Sequence, residues 1–255
     1  MSATKQRRVR IIAEEAHETP RDWDNLGTVV TWHSRYALGD KQPILTQKEY
    51  QEYLAVLVCP RLGYIIEYWQ NDGYYRLIDK YDGDHGTAWQ EVDKHVRSLV
   101  DAVLDRYYVI LPVYLFDHSG ITISTSPFQC PWDSGQVGYI YASLDDAKQN
   151  WLIGSSGDWD TTYKDHNGEQ VTIREGTRRH LQVEIETYDQ YIRGDVYGFV
   201  VEECEPCECC GHLEWEHVDS CSGFYGDNPE TNGMAGHLDA DELELAKSAE
   251  IEYSR

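Results

Sequence analysis

The stretch Tyr107–Lys148 constrains the fold more than any other part of the chain, because it holds the densest run of strand-forming residues. Both alternating faces of residues 107–116 are apolar, with Tyr108, Ile110, Tyr114 and Phe116 on one face and Val109, Leu111, Val113 and Leu115 on the other. A strand that is apolar on both faces is covered on both sides, which is typical of the centre of a sheet. Pro112 cannot donate a ladder hydrogen bond, so we expect a bulge, an edge or a strand start there.

Capping-box pairs mark the start of each predicted helix, and apolar residues then recur at helical spacing. The pairs are Thr46 with Glu49, Thr87 with Gln90, and Thr172 with Glu175. They predict helices near residues 47–58, 87–106 and 172–193. A short helix is expected after Ser143, and another from about Ala240 to Glu250.

Alternating segments and turn residues predict the strands. These lie near residues 28–33, 62–69, 74–79, 107–116, 120–125, 137–142, 196–201 and 215–224. The pair 62–69 and 74–79 flanks Asn71-Asp72-Gly73, which predicts a hairpin. The fold class is therefore α+β, an antiparallel or mixed central sheet packed by about three main helices, with a Cys/His-rich hairpin insertion and an acidic C-terminal tail.

Length and composition favour one large domain with appendages. The chain has 255 residues, which is long enough to bury a real core. We expect a flexible or strand-like N-terminal lead-in over residues 1–22, a single α+β domain over 23–226 and an acidic tail over 227–255. Residues 202–218 of that domain form the predicted zinc loop.

The formal net charge of −23 is the strongest global signal in the sequence. Such a surface repels nucleic acid and anionic membranes and attracts basic partners, so we expect no direct nucleic-acid binding and no membrane binding. Charge alone leaves three origins open: a solubilising surface, adaptation to high salt, and imitation of a phosphate backbone. Because no apolar run is long enough to span a bilayer and the N-terminus lacks a signal-peptide core, we expect a soluble, intracellular protein.

Acidic residues concentrate after Glu202, where Lys247 and Arg255 are the only lysine or arginine residues. This surplus cannot all be neutralised locally, so the C-terminal acids are candidates for contact with a basic partner. The protein-binding candidates are Asp239, Asp241, Glu242 and Glu244.

A cluster of cysteines and histidines precedes that tail. Its candidate metal ligands are Cys204, Cys207, Cys209, Cys210, His212, His217 and Cys221. Zinc takes four sulfur or nitrogen ligands in a tetrahedron, and short Cys-x2-Cys turns can supply them. Two quartets remain open: Cys207 and Cys210 with His217 and Cys221, or Cys204 and Cys207 with His212 and His217. A cysteine-bearing loop without metal is the structural alternative.

Asp117, His118 and Ser119 superficially resemble the members of a catalytic triad. Adjacent residues of one turn cannot all point at each other, so we expect ordinary turn residues between two strands. The alternative function that this segment allows is a small hydrolase-like enzyme with a polar cleft around Asp117, His118 and Asp133.

Long blocks of the sequence resemble an uncharacterised protein family encoded by tailed bacteriophages and prophages. The blocks are WDNLGTVVTWHSRYALGD at Trp23–Asp40, LPVYLFDHSGITISTSPFQCPWDSGQVGYIY at Leu111–Tyr141, ETYDQYIRGDVYGFVVE at Glu186–Glu202 and DSCSGFYG at Asp219–Gly226. This resemblance implies a viral gene product that acts in the cytoplasm of the infected host cell. It implies no activity, because the family has no established function, and no site residue is carried over from it.

Together these features predict a non-enzymatic acidic viral accessory protein. Its partner would be a basic host protein, such as a nucleic-acid-binding or defence factor, and the acids would then act as a DNA mimic or an inhibitor of host defence. A virion structural component is a further alternative, which symmetric self-contacts would favour.

The ligand-rich loop predicts that the purified protein contains about one structural zinc ion per chain. Elemental analysis of protein prepared without added metal checks this. A preparation that is fully folded and contains no zinc would refute the predicted zinc site. Replacing Cys207 and Cys210 by serine should loosen the loop and leave the main unfolding transition in place, because the cluster lies outside the predicted sheet blocks.

Overall fold

The computed structural model describes residues 6–14, 18–151, 157–165, 167–205, 207, 210 and 212–253. Its helices are α1 (Gln47–Val58), α2 (Pro60–Tyr68), α3 (Tyr74–Lys80), α4 (His85–Tyr107), α5 (Leu144–Asn150), α6 (Ile173–Arg193) and α7 (Ala240–Ser248). Its strands are β1 (Gln6–Ala13), β2 (Thr28–Thr31), β3 (Tyr108–Asp117), β4 (Ile121–Ser124), β5 (Ser134–Ser143), β6 (Thr162–Lys164), β7 (Gln170–Thr172), β8 (Val196–Cys204), β9 (Glu216–Tyr225) and β10 (Ile251–Tyr253). This confirms the α+β class.

The chain divides into two compact units. Unit 1 comprises Met1–Asp24, Phe116–Ile123 and Ile185–Arg255, and unit 2 comprises Asn25–Leu115 and Ser124–Glu184. This division differs from the single domain over residues 23–226. The residues assigned to a lead-in and to an acidic tail belong to unit 1, where they form β1, α7 and β10.

Unit 1 is built on a four-stranded sheet in the order β10-β1-β8-β9. The sheet is mixed, because β1 pairs antiparallel with β8 and parallel with β10. Val9 and Ile11 lie on one face of β1 and are buried, in the alternating pattern of a strand with one covered face. They pack into a core with Phe199 and Met234, and Ala246 of α7 joins the same core.

Unit 2 combines helices with strands β2 and β5 and with β3 as far as Leu115, which neighbour one another in the order β2-β5-β3. Val30 of β2, Leu54 of α1 and Val96 of α4 belong to one buried cluster, which the apolar stripes of the helices supply. Strand β2 is fully covered in its centre, since Val29 and Val30 are 0% exposed. Strands β6 and β7 form a separate small hairpin ahead of α6.

A buried carboxylate fixes the entry to β2 within unit 2. Glu184 on α6 accepts hydrogen bonds from the backbone N–H groups of Leu26 at 2.9 Å and Gly27 at 3.0 Å. Gly27 is required for this approach, because a Cβ atom there would lie 2.5 Å from Cδ2 of Leu181. The carboxylate thus satisfies donors that the close packing would otherwise leave unpaired.

The predicted hairpin over residues 62–79 is wrong. Those residues form α2, a π-helical turn at Trp69–Gly73, and α3. Pro60 occupies the first turn of α2, where its fixed φ favours a helix start. Gly73 has a right-handed helical φ of −63°, and its missing Cβ makes room for the Trp69 ring. The turn signal was therefore overridden by packing against a helix.

The other predicted elements agree closely with the structure. Helix α1 begins and ends at the predicted residues, and its capping box between Thr46 and Glu49 is formed. The remaining predicted helices and strands occur with shifts of a few residues at their ends. Among the described residues, no helix is both long enough and apolar enough to cross a bilayer.

Replacing Glu184 by alanine should destabilise the protein by about 2–3 kcal/mol, because it leaves buried backbone donors without an acceptor. Equilibrium unfolding in urea measures this. Glu186→Ala is the matched control, since Glu186 is an exposed residue of the same helix, and its effect should stay within about 0.5 kcal/mol. Equal losses in both variants would show that the Glu184 contacts contribute nothing specific.

Candidate functional site

Both features that the sequence singled out for function, the Cys/His cluster and the acidic surplus, meet in the β8–β9 hairpin of unit 1. Strands β8 and β9 pair antiparallel, with Glu202 opposite His217 and Glu203 opposite Glu216. Strand β9 is an edge of the four-stranded sheet, so its outer side has no strand partner among the described residues. The segment between Cys204 and Glu216 joins the strands.

The cysteines of the loop have different environments. Cys204 ends β8 and is 2% exposed, whereas Cys207 and Cys210 are exposed. The backbone N–H of Cys207 donates to the carbonyl of His212 at 3.0 Å. Cys209 lies outside the described residues.

The remaining candidate ligands lie on β9. Nε2 of His217 is 3.0 Å from the hydroxyl of Ser220. Cys221 pairs with Phe199 across the sheet and packs against the core of unit 1. Within the part of the chain that the structure describes, no group of three His, Cys, Asp or Glu side chains is arranged to hold a metal ion. The arrangement shown therefore brings neither quartet together, and the zinc ion stays a prediction.

Acidic side chains cover the outer part of the hairpin. Glu205, Glu214, Glu216 and Asp219 are exposed, and none of them forms an ion pair with a described cation. Two apolar side chains accompany them, Leu213 at 41% exposure and Val218 at 45%. An exposed strand edge that mixes carboxylates with apolar groups can offer both attraction and contact area to a basic partner.

The base of the hairpin pairs with arginines of β1. Arg8 and Arg10 lie on the strand face opposite Val9 and Ile11, whereas Arg7 lies on the same face as those two residues. Arg8 donates to Glu202 at 2.7 Å, and its guanidinium lies 4.2 Å from the centroid of the Trp215 ring. Arg7 pairs with Glu203, and Arg10 donates to Glu252 of β10 at 2.8 Å. The basic N-terminus is thus bound to acidic strands of its own unit.

These ion pairs shift the titration of their members. The hydrogen bond from Arg10 holds the pKa of Glu252 below its usual range. A carboxylate with a depressed pKa contributes its attraction above the unfolded pKa and loses it as the pH falls through the folded value. The β1–β10 pairing should therefore weaken in acid. Both side chains are exposed, so this is a local effect.

The structure gives the C-terminal candidates distinct roles. Asp239 and Glu242 form the capping box of α7 and also accept hydrogen bonds from Arg7 at 3.2 and 3.0 Å. Glu244 pairs with Lys247 at 2.9 Å. Asp241 is exposed in the first turn of α7. Asp239 and Glu242 therefore help to hold unit 1 together, and the hairpin acids are the more accessible set.

The Asp117-His118-Ser119 segment forms the turn between β3 and β4. Ser119 has a left-handed φ of 60°, and the N–H of His118 donates to the carbonyl of Gly120 at 3.0 Å. The His118 ring stacks on Phe116 with the centroids 5.9 Å apart. Asp133 accepts a hydrogen bond from the thiol of Cys130 at 3.7 Å. These contacts are those of turn residues.

Sequence reasoning missed the role of β1. Its signal is present in the sequence, because Arg8, Val9, Arg10 and Ile11 alternate between arginine and aliphatic side chains and are followed by the apolar Ile12 and Ala13. Comparison with known proteins adds no further assignment: no family model, curated protein or solved structure matches this chain.

Glu242→Ala should lower the free energy of unfolding by about 1 kcal/mol, because it removes an arm of the capping box and a contact with Arg7. Thermal unfolding monitored by circular dichroism checks this. Glu244→Ala is the control: this exposed residue has only a surface ion pair, so the change should stay within about 0.5 kcal/mol. A reversed order would refute the structural role of Glu242.

Proposed function

We propose that this protein is a non-enzymatic, acidic accessory protein of a bacteriophage or prophage that binds a basic host protein. The observation that carries the proposal is the exposed acidic edge of the β8–β9 hairpin, together with the net charge of −23. Glu214, Glu216 and Asp219 are exposed and have no ion-pair partner among the described residues. They are therefore available to a cationic surface.

The arrangement of cations supports the same assignment. The basic N-terminal run is engaged by Glu202, Glu203 and Glu252, so it offers no ready patch for phosphates. A protein that binds nucleic acid or anionic lipid needs such a patch. Nucleic-acid-binding proteins carry such a patch, and an exposed acidic surface competes with DNA for it. We therefore infer a nucleic-acid-binding protein as partner, with the acids acting as a DNA mimic.

The acids of the edge strand β9 have an alternative explanation, which is that they prevent self-association. Charged side chains on an edge strand keep it from pairing with other chains. If protection is their whole purpose, neutral variants would self-associate and lose no partner. If they bind a partner, that partner dissociates from the variants whether or not the variants stay monomeric.

The zinc ion belongs to the same proposal. A closed zinc site using Cys204, Cys207 or Cys210 would stiffen the loop that presents Glu205 and Glu214. Its role would be structural, since the neighbouring side chains are carboxylates with no activated partner for catalysis.

A test compares variants of equal net charge. The first carries Glu214→Gln, Glu216→Gln and Asp219→Asn; the control carries Glu67→Gln, Asp72→Asn and Asp79→Asn, which lie on exposed positions of unit 2. Each is immobilised with the wild type, and host-cell proteins retained at low salt are identified. We expect proteins that bind the wild type and the control to be lost from the hairpin variant, because its association rate falls by about tenfold.

Retention of the same proteins by all three chains would refute the hairpin as the binding surface. Loss from both variants alike would show that total charge acts rather than this edge. Light scattering on each variant separates loss of partner binding from self-association.

A further inference from the structure

A cavity of about 620 Å³ lies in unit 2, between the end of α5, the β6–β7 hairpin and α6. Its volume falls in the range of about 300–1,000 Å³ that is typical of small-molecule sites. The cavity is separate in sequence from the acidic hairpin and from every metal-ligand candidate. It is lined mainly by apolar surface with a few charged groups at intervals.

Three aromatic rings form part of its wall. The rings of Trp151 and Tyr163 stack with centroids 4.8 Å apart and an interplanar angle of 21°. His180 meets Trp151 edge-on at 5.7 Å. Flat side chains grouped in this way provide stacking surfaces for a planar ligand.

Gly176 shows that this wall depends on close packing. It lies in the first turns of α6, where glycine costs about 1 kcal/mol relative to alanine. A Cβ atom at this position would clash with the hydroxyl oxygen of Tyr163. The glycine therefore lets the Tyr163 ring lie directly against the helix backbone, beside Trp151.

The charge of the wall differs from that of the whole chain. Lys164 and Arg179 both line the cavity. Arg179 pairs with Glu175 at 2.9 Å and with Glu169 at 3.8 Å, but these exposed pairs are weak and can exchange for a ligand anion. Asp165 also lines the cavity, and its carboxylate already accepts backbone N–H groups of the β6–β7 turn at 2.9 Å.

Trp151 adds a hydrogen-bond donor. Its Nε1 is closed to solvent and has no hydrogen-bond partner among the described residues. A buried donor without an acceptor costs about 1–3 kcal/mol. Because this N–H is closed to solvent, the indole has to rotate toward the cavity before an acceptor atom of a ligand removes that cost.

We propose that this cavity binds a planar heteroaromatic anion of the nucleoside monophosphate class. The ring of the ligand stacks against the Trp151, Tyr163 and His180 wall and offers an acceptor to the indole N–H. Its phosphate pairs with Arg179 and Lys164. The site is a small-molecule site on an otherwise acidic protein, and it does not depend on the partner proposed for the hairpin.

Isothermal titration calorimetry on the full chain tests this with adenosine monophosphate, adenosine and ribose 5-phosphate. We expect binding of adenosine monophosphate, about tenfold weaker binding of adenosine, and no detectable binding of ribose 5-phosphate, because the ring and the anion act together. In a ¹H–¹⁵N spectrum of the wild type, the indole resonance of Trp151, assigned with Trp151→Phe, should shift on addition of the nucleotide.

Trp151→Ala and Arg179→Ala should each weaken the affinity for adenosine monophosphate by about tenfold or more. Their controls are Trp132→Ala, a tryptophan that is 91% exposed outside the cavity, and Arg193→Ala, an ion-paired arginine of the same helix. The controls should bind as the wild type does. Absence of binding by the wild type at about 10 mM nucleotide, or equal affinities in cavity and control variants with a stationary Trp151 resonance, would overturn the proposal.

Discussion

The insertion of β1 between β8 and β10 is the constraint on which unit 1 depends. Its neighbours are acidic, and like charges facing each other on adjacent strands are destabilising. The arginines of β1 face Glu202, Glu203 and Glu252, so the acidic strands are joined by attraction. Each exposed pair is worth little alone. Burial of Val9 and Ile11, on the face opposite Arg8 and Arg10, contributes about 1.5–3 kcal/mol for each side chain.

This arrangement sorts the acids of unit 1 into groups with different roles. The acids opposite β1 and at the start of α7 form ion pairs and capping bonds that stabilise the sheet and the helix. The outer acids of the β8–β9 hairpin, including Glu214, Glu216 and Asp219, are left to solvent or to a partner. In unit 1, ion pairs thus hold the acids beside β1, while the outer acids of the hairpin form an acidic edge. The proposed function follows from that edge.

Local signals in the sequence predicted the elements whose stability is local. A capping box and a following proline set both ends of α1. The doubly apolar pattern of residues 107–116 predicted β3 with small errors at its ends. The segment 62–79 failed because Asn71-Asp72-Gly73 is a strong turn signal in isolation, whereas packing against α4 favours continuous helical backbone.

The candidate sites were predictable only in part. The Cys/His loop was identified from its residues, but its ligands depend on a three-dimensional arrangement that spacing does not determine. The sequence predicts Glu242 as a surface charge that binds a partner. Its contacts with Arg7 and with the start of α7 reveal a structural role instead. The cavity beside Trp151 cannot be predicted from the sequence, because Tyr163, Gly176 and His180 belong to no recognisable motif. The unexplained glycine in a helix was its one signal.

We propose that exposed carboxylates drive association with a basic, nucleic-acid-binding partner. Stopped-flow measurement of the association rate between this protein and a captured partner, across ionic strength and with duplex DNA as competitor, tests it most directly. We expect an association rate that falls steeply as the Debye length shrinks from about 8 Å at physiological salt to about 3 Å at 1 M. The dissociation rate should change less, and DNA should block the complex. A rate independent of salt, or a partner that holds DNA and this protein together at full affinity, would contradict it.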